Sequence, residues 1–159
     1  MTSTVVRRAT RSDADAFLRL VDALARYEKL DPPGPEARAR LVEDAFGPRP
    51  RFALLVAERA GAIIGYAILV ETYSSFLARP TLYLEDVFVA PEARNKGAGR
   101  ALVAACAKEA LARGCHRLEG VVLDWNEPAR GFYAATGGAV LDDWRLLRYD
   151  RAALERLAG

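Results

Sequence analysis

Apolar positions repeat at two different periods along this chain. Phe17, Leu20, Val21 and Leu24 recur at i, i+3, i+4 and i+7, the stripe of a helix running through about residue 29. Ser12, with Asp15 three positions on, reads as the capping box that opens it. Val5 to Ala9 is a short strand candidate before it. Asp31-Pro32-Pro33-Gly34-Pro35 cannot continue a helix and reads as a loop. A second helix is expected from about Glu36 to Ala45, ended by Gly47-Pro48.

The period then drops to that of strands. Phe52 to Glu58 and Ile63 to Thr72 form a pair joined by a tight turn at Ala60-Gly61, and Thr81 to Val89 is a third strand that Pro91 stops. An Ala- and Leu-rich helix follows from Gly99 to Arg113, with Gly114 placed to end it. Arg117 to Leu123 is another strand. Asn126 caps a short helix through about Thr136, which Gly137-Gly138 ends. Two last strand candidates, Ala139-Leu141 and Trp144-Tyr149, precede a short C-terminal helix. The order β-α-α-β-β-β-α-β-α-β-β contains no repeat or linker and predicts one α/β domain over residues 1–159.

Composition narrows the partners. With 23 basic and 21 acidic residues the formal charge is +2, too little for a chain whose main partner is nucleic acid. No apolar run approaches the roughly 20 residues that span a bilayer, so no membrane partner is expected. Met1-Thr2-Ser3-Thr4 does not open a signal peptide, and the expected location is the cytoplasm. Cys106 and Cys115 form no CxxC pair and only His116 could join them, so no metal site is expected.

Candidate chemistry starts at the loop Pro91-Glu92-Ala93-Arg94-Asn95-Lys96-Gly97-Ala98-Gly99-Arg100. Closely spaced glycines let backbone N–H groups turn to one point, and the helix after them adds a partial positive charge. Arg94, Lys96 and Arg100 add full charges, and the whole suits a pyrophosphate. The nucleotide loop GxxxxGK[ST] is absent, and Leu102 stands where a dinucleotide fingerprint needs a third small residue.

The pattern R-x-x-G-x-G/A, met by Arg94, Gly97 and Gly99, resembles the GNAT acetyltransferase superfamily. Within it the chain is similar to the diamine/polyamine group, the spermidine/spermine and thialysine N-acetyltransferases. The similarity is carried by Arg8-Ala9-Thr10, Ala25 to Leu30, Asp44 to Gly47, Leu82 to Val89, Asp124 to Pro128, Phe132-Tyr133 and Trp144 to Leu146, in order over about residues 5–150. One departure is Asn95, which stands where the group usually has glycine.

The resemblance implies a GNAT-type mixed sheet, mostly antiparallel, with a splayed parallel pair and flanking helices. Acetyl-CoA is then the cosubstrate, and a small primary amine, diamine-like, polyamine-like or lysine-like, attacks its thioester directly. Val87, Phe88 and Val89 would hold the thioester arm by their backbone, and Arg94, Asn95, Lys96, Gly97, Ala98, Gly99 and Arg100 the pyrophosphate, with Asn126 and Tyr133 also on the cofactor. An ammonium must lose a proton before it attacks, and by resemblance Glu85 is the base. Glu85 lies in an apolar run, and alternation turns adjacent Asp86 to the other face. Tyr133 is the implied acid for the leaving thiolate, a phenol near 10 against a thiol near 8.5. Tyr27, Glu28, Glu85, Asp86, Asn126 and Trp144 would line the amine pocket, and a homodimer is expected. Asn126 would cap a helix in any case, and Trp144 could be core. Two alternatives stay open: the same chemistry on a protein N-terminus or drug amine, or a non-catalytic acyl-CoA-binding module.

Overall fold

The computed structural model describes residues 2–159. They divide into two compact units, one reaching to Val121 and one running from Val122 to Gly159.

The first unit is built on a five-stranded sheet in the order β1-β2-β3-β4-β5. Its strands are β1 (Val5–Arg8), β2 (Ala53–Arg59), β3 (Ala62–Ser74), β4 (Arg79–Val89) and β5 (Leu118–Gly120). The first four pair antiparallel, and β5 joins β4 in parallel. Helices α1 (Ala14–Tyr27), α2 (Pro35–Phe46) and α3 (Ala98–Ala112) complete it. This is a mixed α/β fold with one parallel pair, as the resemblance implies.

Two adjacent residues of β3 show how the layers stack. Tyr66 is fully buried, and Phe17 of α1 meets its ring edge-on with centroids 5.2 Å apart. Gly65 faces the other way: a Cβ there would lie 2.8 Å from the Phe88 carbonyl oxygen and 3.2 Å from a Leu102 methyl on α3. Helices α1 and α3 therefore cover opposite faces of the sheet, and the start of α3 sits close to β3 because residue 65 has no side chain.

The predicted stripe on α1 is the buried one, with Phe17 and Leu20 in the core and Val21 and Leu24 packed against it. Its entry differs from expectation. Thr10 and Asp13, not Ser12 and Asp15, make the reciprocal cap, with the Thr10 amide donating to Asp13 Oδ2 at 2.8 Å. Arg7 on β1 holds both oxygens of Asp13 at 2.8 and 3.0 Å and also reaches Glu58 on β2. A carboxylate that can be shared with a strand arginine outcompetes one that meets only solvent. The helix ends with Lys29 in the left-handed region (φ 62°) and the Leu30 amide bonded to the Ala25 carbonyl. That fixes Glu28 at the tip of α1.

The Ala60-Gly61 turn has φ of 52° and 77°, the mirror-image turn that matches strand twist. Gly114 (φ 71°) ends α3, with the Cys115 amide bonded to the Ala110 carbonyl. β5 is shorter than the expected 117–123, since only Leu118–Gly120 finds β4 to pair with.

The second unit contains α4 (Glu127–Ala135) and α5 (Arg151–Ala158). Asn126 caps α4 as expected, its Oδ1 accepting from the Ala129 amide at 3.3 Å. The two last strand candidates are not strands. Ala139-Leu141 and Trp144-Tyr149 pair with no neighbour among the described residues, are separated by a turn that bonds the Trp144 amide to the Leu141 carbonyl, and are exposed throughout. A strand is completed by the ladder beside it, which a local pattern cannot supply.

Candidate functional site

The loop between β4 and α3 is built from a short turn and a left-handed glycine. Pro91–Ala93 is one 3-10 turn off the end of β4, and Gly97 (φ 83°, ψ −3°) is the N-cap residue of α3. A left-handed N-cap glycine with open space around its missing Cβ turns the first amides of α3 outward. Asn95 also sits in the left-handed region (φ 59°), a conformation asparagine tolerates better than most residues. Asn95, Lys96, Gly97 and Arg100 are exposed, Gly99 is half-buried and Ala98 is buried under the turn. A pyrophosphate fits this arrangement: unbonded amides at a helix start, no side chain in the way, and two exposed cations beside them.

Arg94 behaves differently. Its Nε donates to the Val89 carbonyl at 2.9 Å, and its guanidinium lies 5.1 Å from the Tyr27 ring centroid and 5.2 Å from that of Phe88. A second arginine braces the loop elsewhere: Arg59 donates to the Lys96 carbonyl at 3.0 Å while also holding Thr4. Nothing in the sequence marks Arg59 for that task, since its partners lie far from it along the chain.

The carboxylates of β4 depend on a bulge. Tyr66, Ile68 and Val70 share one face of β3 and stand opposite Phe88, Asp86 and Tyr83. Two steps on β3 span three on β4, so Glu85 is the additional residue and has no opposite number. The alternation argument that set Glu85 against Asp86 does not hold across a bulge. Glu85 is exposed although it lies in an apolar run, and Asp86 is half-buried. The buried Tyr66 hydroxyl donates to Asp86 Oδ2 at 3.1 Å.

Burial pushes the Asp86 carboxyl up to about 6; the Tyr66 hydrogen bond pulls the other way, and the negative charges of Glu85 and Glu28 raise it further. The Tyr66 phenol is pushed up as well, by burial first and by the Asp86 charge second. Tyr66 is the residue that sequence reasoning missed. It lies inside a strand of apolar residues and carries no signal separating it from an ordinary core aromatic.

The backbone of β4 is the last part of the site in this unit. The Ala90 amide bonds to the Ile64 carbonyl on β3. Alternation turns the Phe88 amide the same way, and those of Val87 and Val89 toward the β5 side. β5 pairs only with Leu82–Leu84, so its ladder ends before those amides. Gly120 allows the pair to close tightly, since a Cβ there would lie 2.9 Å from the Leu84 carbonyl oxygen.

In the second unit, Tyr133 is half-buried on α4 with its ring 5.4 Å from that of Phe132. Asn126 is buried and its side chain serves the cap. Trp144 is 76% exposed, so the reading of it as a core residue fails.

Known proteins share this organisation. Residues 17–138 match the acetyltransferase (GNAT) family. The thialysine N-epsilon-acetyltransferase of Bos taurus is 35% identical over 100% of this chain and 99% of its own length. The spermidine/spermine N(1)-acetyltransferase-like protein 1 of Homo sapiens is 29% identical, covering 96% of this chain and 23% of that protein. Among solved structures, aminoglycoside N-acetyltransferase AAC(6')-Iy in complex with CoA superposes with a TM-score of 0.77 at 20% identity, over 95% of this chain and 96% of that one.

Proposed function

The chain belongs to the acetyltransferase (GNAT) family, and we propose that this acetyl-CoA-dependent N-acetyltransferase acts on a small primary amine that carries a second positive charge. Diamines, polyamines and lysine-like side chains are the class. The observation that carries this reading is the group of three carboxylates, Glu28, Glu85 and Asp86, close enough for the first two to raise the proton affinity of the third. A site with that much negative charge favours a substrate with more than one ammonium. Similarity to thialysine and spermidine/spermine enzymes supports the same class.

Each chemical role then falls to a stated group. Acetyl-CoA supplies an acetyl group activated as a thioester, with Lys96, Arg100 and the amides of Gly97, Ala98 and Gly99 holding its pyrophosphate. The amides of Val87 and Val89 meet the carbonyl oxygen and pantetheine arm and stabilise the charge that develops on attack. Asp86 takes the ammonium proton, because a carboxyl near 6 is ionised at neutral pH yet basic enough to accept it. This moves the base from Glu85, which acts through its charge. As the new C–N bond forms and the C–S bond breaks, Tyr133 gives its proton to the thiolate, and the second proton that the nitrogen loses on becoming an amide restores the phenol. Tyr27 and Glu28 line the acceptor side, and Glu28 pairs with the distal ammonium. Asn126, which fixes the start of α4, is assigned to the cofactor and the amine, and Trp144 to the amine.

The family match runs from the first compact unit into the second as far as residue 138, which supports a single catalytic domain over the chain. The working form is a homodimer in the cytoplasm. Among the described residues no helix is long and apolar enough to cross a membrane. Self-association is supported by the exposed run from Val140 to Tyr149. It presents Val140, Leu141, Trp144, Leu146, Leu147 and Tyr149, and its two acids and two bases cancel in charge.

Paired substrates test the acceptor. A diamine should be acetylated with a higher kcat/KM than the monoamine of equal chain length. Glu28→Gln should raise KM for the diamine about tenfold and leave the monoamine nearly unchanged. Equal effects on both would remove Glu28, and the second charge, from recognition.

A further inference from the structure

We infer that Arg94 is a positioning residue: it straps the acetyl-CoA loop to the end of α1 through Tyr27 and does not itself bind phosphate. Three contacts carry this. The Nε–H is committed to the Val89 carbonyl at 2.9 Å. The planar guanidinium lies against the rings of Tyr27 and Phe88, at 5.1 and 5.2 Å from their centroids. The side chain is half-buried, whereas Lys96 and Arg100 in the same loop are exposed.

A guanidinium that lies over two aromatic rings and is tied through its Nε loses much of the freedom it would need to follow a phosphate. What it gains is a fixed distance between β4, the loop and α1. Arg59 on the Lys96 carbonyl provides a second brace for the same loop. Between them the loop holds two left-handed residues, Asn95 and Gly97, in the arrangement that turns the helix amides outward. Tyr27 is followed directly by Glu28, whose charge acts on Asp86. The strap therefore joins the loop to the end of the helix that carries part of the acidic cluster. Disturbing Tyr27 should be felt by the cofactor although Tyr27 is not part of its loop.

The inference rests on the assignment of this loop to acetyl-CoA, and binding of CoA itself, followed by calorimetry without turnover, separates the two. Wild-type protein that binds no CoA would refute the assignment. Given binding, Tyr27→Leu should weaken CoA about threefold or more. Arg94→Gln should weaken it further, and the double variant should be no worse than Arg94→Gln alone. The salt dependence of CoA binding should stay as steep in Arg94→Gln as in the wild type, and flatten in Arg100→Gln. Arg94→Lys keeps the charge but loses the planar group and the Nε donor, so it should not restore affinity. Melting temperatures of all variants check that each is folded. Unchanged CoA affinity in Tyr27→Leu, a flattened salt dependence in Arg94→Gln, or full rescue by lysine would each overturn the strap and make Arg94 a phosphate ligand.

Discussion

Asp86 and Asp13 are both carboxylates beside a hydrogen-bond donor, and their surroundings push them in opposite directions. Burial, and after it the negative charges of Glu85 and Glu28, raise the Asp86 carboxyl to about 6 against the opposing hydrogen bond from the Tyr66 phenol. Asp13 is held by the Arg7 guanidinium, which brings it down to about 2. The catalytic consequence belongs to Asp86. With acetyl-CoA saturating, kcat/KM should rise as pH passes through about 6, and Asp86→Asn should lose that rise together with about a hundredfold of the rate. Glu85→Gln should keep the rise and move it to lower pH, since a negative neighbour is gone. A profile abolished by Glu85→Gln and preserved in Asp86→Asn would return the base to Glu85.

The stability consequence belongs to Asp13. Its folded carboxyl lies below the ordinary 3.8, so its contribution is present above about pH 4 and fades as pH falls through about 2. Asp13→Asn should cost about 2 kcal/mol at pH 7 in urea unfolding, and the gap to wild type should close on acidification. A gap that stays constant down to pH 2 would mean that the ion pair is not its source. The sequence shows both aspartates but not these differences, because Tyr66 reaches Asp86 from the neighbouring strand and Arg7 meets Asp13 only through the turn between β1 and α1.

At the level of elements, local signals were most reliable where both periodicity and termini were written nearby. The stripe of α1, the glycine that ends α3, the cap of α4 and the turn at Ala60-Gly61 all stand where the residues put them. Features that depend on a neighbouring strand were not legible. The bulge at Glu85 arises from a mismatch of register between β3 and β4, and the stretch 139–149 has the composition of strands without a ladder. Two substitutions check the geometry that positions the site. Ala60 occupies a left-handed conformation, so Ala60→Gly should stabilise the hairpin by about 0.5–1 kcal/mol, read from the urea midpoint. Destabilisation would show that the turn is not strained at that residue. Gly65→Ala should cost about 1–3 kcal/mol and weaken CoA binding, because the new Cβ meets a backbone carbonyl on β4 and a side chain at the start of α3. Wild-type stability in that variant would mean that α3 can stand farther from the sheet.

For the whole molecule, the family and a mixed, mostly antiparallel sheet with one parallel pair were implied by motifs spread over nearly the full chain, whereas the homodimer was expected from the resemblance alone, because association is a property of surfaces. The exposed run from Val140 to Tyr149 places the dimer prediction there. Light scattering should give a dimer for the wild type, and a Leu146→Asp, Leu147→Arg double variant should be a monomer of the same helical content. A wild-type monomer at tens of micromolar, or an undisturbed dimer in the variant, would move the interface elsewhere or remove it.

The proposed reaction moves an acetyl group from acetyl-CoA to an amine bearing a second positive charge. Free thiol release from acetyl-CoA is to be followed with purified protein and a panel of spermidine, putrescine, thialysine, lysine, an aminoglycoside and a peptide N-terminus. Turnover should concentrate on one or a few of the small doubly charged amines, with the peptide N-terminus poor. Turnover led by the peptide, or none across the panel from a protein that still binds CoA, would contradict it.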